Sequence, residues 1–274
     1  MKQKITMYRE TEQDTLTSHG NTSFRLNVEF QFFWSSSPWS KREMPAITGT
    51  RTTAHMKNER ASSKGLEMPL TDMPVANIDD NMNRIAAVDS GIEPIGYKGQ
   101  LLGTAFTVRV AQGDNLMFHA AMDLARPGDV IVIDAGGFTE RAIFGELMAT
   151  YCRSRGIHGI ICDGAIRDRG GLAAMENFRV YARAATPNGP YKNGPGEINV
   201  PVVIGGKIVY PGDIVAGDDD GVLFIRPEEA EALAEATRAV EKKEADIMAH
   251  ILNDGTYIRP WVDEKLREIG CEII

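Results

Sequence analysis

The sequence predicts an α/β fold with a parallel βαβ core and a strand-rich second half, and three observations carry that reading. Two apolar runs, Asp129-Val-Ile-Val-Ile-Asp134 and Gly159-Ile-Ile-Cys162, have strand length, and a helical stretch from Phe144 to Arg155 lies between them. A further strand-like run, Leu101 to Val110, is followed by Gly113-Asp-Asn115, which opens a short helix through Leu124. Strand and helix therefore alternate, which implies a parallel core with right-handed crossovers. After Arg179-Val-Tyr-Ala-Arg183 the chain turns to short strands joined by glycine turns.

Taken in order, Val75, Ile78, Met82 and Ile85 recur at helical spacing, and Gly91 and Pro94 stop that helix. The helix from Phe144 is closed by Gly156. The later strands are Val200 to Ile204, Lys207 to Tyr210, Ile214 to Ala216 and Val222 to Ile225. Gly205-Gly206, Pro211-Gly-Asp213 and Asp218-Asp-Asp-Gly221 supply the turns between them. A charged helix from Pro227 to about Ile251 follows, its charges forming a solvated face. There is no internal repeat.

Composition divides the chain near Met68. The first 68 residues hold 17 Ser or Thr, against 10 in the remaining 206. They carry 10 Lys/Arg against 7 Asp/Glu, whereas the rest carries 20 against 31. The reading is a leader over 1–68, a main domain over 69–252 and a helical C-terminal tail over 253–274. Within the leader, Phe24 to Trp34 alternates briefly like a strand, but its polar flanks favour disorder or a weakly docked arm. The leader lacks the apolar core and cleavage site of a secretory signal, and its acidic residues argue against a transit peptide. Met68 and Met73 lie just before the periodic sequence begins, so a native start near one of them is expected. Mass spectrometry of the protein from its own host decides this: a peptide from residues 1–60 would refute it.

A formal net charge of -8 argues against direct nucleic-acid binding through phosphate contacts. No apolar run approaches the roughly 20 residues needed to cross a bilayer. Cys152, Cys162 and Cys271 have no metal-type spacing and are odd in number, which fits reduced thiols in the cytoplasm. Cys162 and His158 fall in one apolar strand, where a separation of four does not make them neighbours.

The chemistry gathers at Asp163-Gly-Ala-Ile-Arg-Asp168, which follows an apolar strand and so sits where open α/β sheets place their sites. Arg167 offers a cationic fork for a carboxylate or carbonyl, and Asp168 a hard oxygen ligand for a divalent metal. Gly145-Glu146-Leu147-Met148 begins the preceding helix, whose free N–H groups and positive dipole end can receive an anion. Asp134, the 145–148 segment and the Arg167-Asp168 turn are expected together at the carboxyl ends of neighbouring strands. These parts suggest retro-aldol or decarboxylation chemistry on a 2-oxo acid. A metal on Asp168, with most of its remaining ligands water, would chelate the keto oxygen and one carboxylate oxygen of the substrate, which suits Mg²⁺. Lys192 and Lys207 have no evident Schiff-base setting.

At this point the sequence resembles the 4-hydroxy-4-methyl-2-oxoglutarate aldolases and their relatives, the regulator of ribonuclease activity A (RraA-like) proteins. The resemblance covers about Met73 to Pro227. It rests on Gly103-Thr-Ala-Phe-Thr-Val108, Gly113-Asp-Asn115, Pro127 to Asp134, Gly145-Glu-Leu147, Asp163 to Asp168, and Pro211-Gly-Asp213 through Gly221, in order. It implies a compact swivelling-type β/α fold, assembled as a homotrimer or a hexamer with sites at subunit interfaces. It implies that Gly145 to Met148 bind the pyruvate carboxylate, that Arg167 contacts substrate, and that Asp168 holds Mg²⁺, with Mn²⁺ as the alternative. The activity implied is a metal-dependent, class II-type lyase that cleaves a 4-hydroxy-2-oxo acid to pyruvate through a metal-stabilised enolate, with oxaloacetate decarboxylation alongside. The family pattern also includes an acidic group from a neighbouring subunit. Glu197 is the candidate for it, and the alternative reading of that residue is a solvated loop carboxylate.

The rival is a non-catalytic regulator that binds a ribonuclease or RNA helicase, for which an intact Arg167-Asp168 pair has no need. A menaquinone methyltransferase is rejected, because no glycine-rich strand-loop-helix nucleotide fingerprint is present. Asp218-Asp-Asp-Gly221 is read as a tight turn rather than a calcium loop, since strands flank it. His119 reads as a packing residue. Helix capping accounts for Asp114 and Asn115.

Overall fold

The computed structural model describes residues 68–96 and 98–271. The leader reading, including the run from Phe24 to Trp34, falls on residues 1–67 and lies outside the described residues. The first element is helix α1 (Val75–Asp80), then strands β1 (Glu93–Ile95) and β2 (Leu101–Val110), helix α2 (Leu116–Leu124), strand β3 (Asp129–Asp134) and helix α3 (Glu146–Ser154). Strand β4 (Gly159–Ile166), helix α4 (Arg169–Ala173) and strand β5 (Arg179–Ala185) complete the alternating half. The second half holds β6 (Gly196–Ile198), β7 (Val202–Ile204), β8 (Lys207–Val209), β9 (Ile214–Gly217) and β10 (Val222–Ile225), followed by α5 (Ala230–Asp254) and α6 (Pro260–Glu268).

The main sheet runs β1-β5-β4-β3-β2-β9-β10, with β6 paired to the far end of β2. Its centre, β2 to β5, is parallel and in sequential order, as the βαβ pattern requires. The flanking strands β1, β6, β9 and β10 all pair antiparallel. Strand alternation splits the core into two faces. Ile131, Ile133, Ile160, Cys162, Val180 and Ala182 face the layer that holds Phe118, Ala149 and Leu172 of α2, α3 and α4. Val130, Val132, Ile161 and Tyr181 face the β7–β8 hairpin through Val202, Ile204 and Val209. A third cluster seats α1 and the first turns of α5 on β9 and β10 through Leu70, Ile78, Leu223 and Leu233. This is the mixed α/β architecture the sequence predicts.

Several boundaries differ, each for a local reason. The first helix stops at Asp80 rather than running on past Ile85, which is 70 % exposed. Asp79 accepts Ala86 N–H through its side chain at 2.8 Å, and Asn83 and Arg84 adopt positive φ, so local polar bonding outcompetes the apolar spacing. The strand expected to end at Cys162 continues to Ile166, with a register shift between Cys162 and Ala165. Arg167 and Asp168 are therefore the residues at the strand end. The last long helix begins at Ala230 and ends at Asp254, capped by Gly255 in the left-handed region. No described helix is long and apolar enough to cross a membrane.

Candidate active site

Gly145 is where the site is assembled. The segment before α3 is drawn beside the end of β4 by Ile143 N–H to Ala165 O (2.8 Å) and Arg167 N–H to Phe144 O (2.9 Å). A Cβ on Gly145 would fall 2.2 Å from Asp168 Oδ2 and 2.8 Å from Arg167 Cγ. The absence of a side chain is thus what lets the carboxylate reach the start of α3. There Glu146 N–H donates to Asp168 Oδ2 at 3.2 Å, and Arg167 Nε lies 3.6 Å from the same oxygen.

Asp168 has φ 57 and ψ 38, the left-handed region that costs a non-glycine residue about 1 kcal/mol or more. Leu172 N–H to Asp168 O, at 3.0 Å, helps hold it as the cap of α4. Strain of this kind gathers at functional sites. The two side chains are about half exposed, 49 % for Arg167 and 46 % for Asp168. They line an open cleft of about 380 Å³ with Ala185, Thr186 and Pro187.

Of the residues the sequence singles out, Gly145, Glu146, Arg167 and Asp168 are brought together. Leu147 and Met148 share the first turn of α3, where N–H groups have no intrahelical acceptor. Leu147 points outward and is 82 % exposed. Asp134 lies elsewhere: it accepts Gly136 N–H (3.1 Å) and Val203 N–H (3.3 Å), and Arg109 Nε stands 3.6 Å away. It braces the hairpin rather than lining the cleft. Asp163 is likewise structural, buried with Arg183 Nε and Gly205 N–H (2.8 Å) on its two oxygens. Glu197 is a strand residue of β6 that pairs with Arg109 at 2.6 Å. Asp114 caps α2 through Leu116 N–H at 2.9 Å, whereas Asn115 turns away and donates to Ile143 O at 2.8 Å.

Ala185, Thr186 and Pro187 were not singled out by sequence, although they span the end of the next parallel strand, the same topological signal that marks Arg167. Among the described residues no group of three or more His, Cys, Asp or Glu is placed to hold a metal. A cation in this cleft would therefore have Asp168 as its protein carboxylate. Its open surroundings suit Mg²⁺, which keeps several waters and prefers hard oxygen. Glu146 N–H and Arg167 Nε, both beside Asp168 Oδ2, would orient such a ligand.

Comparison with known proteins bears on the family and the fold. A family profile described as RraA-like, aldolase/RraA, matches residues 75–224. A Halalkalibacterium halodurans protein, provisionally named a 4-hydroxy-4-methyl-2-oxoglutarate aldolase, is 41 % identical over 174 residues, 64 % of this chain and 81 % of that one. The structure of the RNA-processing inhibitor RraA from Thermus thermophilis superposes with a TM-score of 0.52 at 27 % identity, covering 57 % of this chain and 93 % of that one. A Geobacillus kaustophilus structure named S-adenosylmethionine:2-dimethylmenaquinone methyltransferase gives 0.53 at 30 % identity, with 56 % and 95 % covered.

Proposed function

The chain belongs to the RraA-like family, and on that premise we propose that it is a divalent-metal-dependent carbon–carbon lyase that cleaves a 4-hydroxy-2-oxo acid of the 4-hydroxy-4-methyl-2-oxoglutarate type to pyruvate. The observation that carries the reading is the close approach of Gly145 to Arg167 and Asp168, which sets a helix start beside the cation and the hard oxygen ligand that line one open cleft. Mg²⁺, or Mn²⁺ in its place, would be held by Asp168 and would supply Lewis-acid polarisation of the 2-oxo group.

The chain's own residues do the rest. First-turn N–H groups of α3 receive the substrate carboxylate, helped by the helix dipole. Solvent water takes the 4-hydroxyl proton as the C3–C4 bond breaks, C4 leaves as the carbonyl carbon of the second product, and the electron pair of the broken bond passes toward the 2-oxo oxygen. The Arg167 guanidinium faces that oxygen and stabilises its growing negative charge. Protonation at C3 then gives pyruvate. Oxaloacetate decarboxylation passes through the same pyruvate enolate and is included in the proposal.

We place the assembly as a homotrimer or hexamer with the cleft near a subunit boundary, supported by exposed Leu147 and Tyr151 on α3 beside it. Light scattering tests this, and a monomer would refute it. A second reading, a regulator that binds a ribonuclease or RNA helicase, is favoured by the likeness to the Thermus inhibitor. One experiment separates the two: pyruvate release from both oxo acids beside capture of ribonucleases and RNA helicases. Turnover supports the lyase, whereas tight capture without turnover reverses the ranking.

A further inference from the structure

Among the described residues, the Arg167 guanidinium has one ion pair, the 3.6 Å approach to Asp168, and is otherwise held only by what it rests against. Gly189 is its neighbour: a Cβ added there would lie 3.7 Å from Arg167 Nη1. Gly189 belongs to the loop that follows β5, whose first residues Thr186 and Pro187 line the cleft. Backbone bonds stitch that loop on both sides of Gly189. Ala142 N–H donates to Asn188 O at 2.9 Å, Tyr191 N–H to Gly113 O at 2.8 Å, and Asn115 N–H to Tyr191 O at 3.0 Å.

Gly189 itself is held by a side chain. Arg141 Nη1 donates to Gly189 O at 2.9 Å, and Nη2 donates to Tyr191 Oη at 2.9 Å. The same guanidinium stacks 4.2 Å from the centre of the Tyr191 ring. Its stem passes over Gly113, where a Cβ would fall 3.0 Å from Arg141 Cδ. Stem, fork and stacking surface together fix Arg141 in one pose. That planar fork is what Lys cannot reproduce.

We propose that Arg141 is a positioning residue: by clamping Gly189 and Tyr191 it sets the wall that orients the Arg167 guanidinium toward the bound oxo acid. The inference rests on the reading of Arg167 as a substrate-facing cation. With the loop stitched at Asn188 and Tyr191, losing Arg141 leaves the path of the loop intact and releases Gly189, the residue beside Arg167 Nη1. A displacement there of even about 1 Å can cost on the order of 100-fold in rate.

The test is a double-mutant cycle of Arg141→Met with Arg167→Ala. It is read both as kcat/KM for pyruvate release and as affinity for oxalate, a dianion resembling the enolate of pyruvate, with Mg²⁺ present. Arg141→Met is expected to lower both by about tenfold or more when Arg167 is present and by less than twofold when it is absent. Arg141→Lys should fail to restore either. Tyr191→Phe, which removes one acceptor and keeps the ring, should give a smaller loss of the same kind with an unchanged thermal midpoint, and it serves if Arg141→Met does not fold. Equal losses in both Arg167 backgrounds, or no loss, would overturn the proposal. If the parent protein binds oxalate but releases no pyruvate, the lyase reading fails while the oxalate cycle still decides the role of Arg141. If the parent does neither, both fall.

Discussion

Replacing Gly145 with Ala tests the geometry of the site with a single methyl group. The backbone there, at φ -144 and ψ -164, is extended and open to any residue, so conformational strain plays no part. The space is the obstacle. The new carbon would sit 2.2 Å from Asp168 Oδ2, 2.8 Å from Arg167 Cγ and 3.1 Å from Asp168 Cγ. Ordinary carbon contacts begin near 3.5 Å, so the carboxylate must move by roughly 1 Å and give up its bond from Glu146 N–H. Because Asp168 is half exposed, it can swing outward, and the cost to stability should stay near the low end of overpacking, about 1 kcal/mol. The cost to function should be much larger, about 100-fold in kcat/KM, with a weaker apparent affinity for Mg²⁺. Gly170→Ala is the matched control, since its Cβ meets nothing within 4 Å and it lies inside α4. That change should raise the thermal midpoint slightly and leave turnover alone. Pyruvate release at varied Mg²⁺, together with thermal melts of both variants, makes the comparison. Parent-like kcat/KM in Gly145→Ala would refute the reasoning.

Three further outcomes follow from other parts of the molecule. Asp163→Ala leaves Arg183 and Gly205 N–H without their buried acceptor and should cost about 3 kcal/mol in urea unfolding, whereas a shift under 1 kcal/mol would show that the network is dispensable. Burial pushes the Cys152 thiol up to about 12 and raises that of Cys162 as well, whereas Cys271 is exposed. A disulfide reagent should therefore find one thiol in the native protein and all three after denaturation. Burial, aided by the Lys192 ammonium and opposed by Asp123, lowers the His119 imidazole below its ordinary 6.5. The unfolded chain then binds the proton more readily, so this contribution is present above pH 6.5 and is lost as the pH falls below it. His119→Gln should flatten the stability profile between about pH 7 and 5, and an unchanged slope would contradict that assignment.

The sequence is most legible where burial is two-sided. The runs at Asp129–Asp134 and Leu101–Val110 coincide with β3 and β2, because strands covered on both faces read as continuous apolar stretches. Three-residue strands such as β1 and β6 leave no such trace; Glu93 and Glu197 within them give no apolar alternation, and only tertiary pairing makes them strands. At the site, residue types and spacing point to Arg167 and Asp168. The left-handed backbone of Asp168 does not show in the sequence, nor does its approach to Gly145 across 23 positions. Asp134 illustrates the opposite error. Topology places it at a strand end with the others, but alternation along β3 and a partner 25 residues away, Arg109, turn it to the hairpin side. Thr186 and Arg141 went unnoticed because neither the turn after β5 nor a single loop arginine carries a signal without the fold.

The central claim is that Asp168 and a divalent cation together cleave a 4-hydroxy-2-oxo acid. Asp168→Asn is the sharpest variant, since Asn tolerates the left-handed backbone and differs from Asp chiefly in charge. The decisive measurement is pyruvate release from 4-hydroxy-4-methyl-2-oxoglutarate by parent and variant, each with Mg²⁺ and with chelator. The parent should turn over with Mg²⁺ alone, and chelator or Asp168→Asn should abolish that turnover; turnover that survives either change would contradict a metal-dependent role for Asp168.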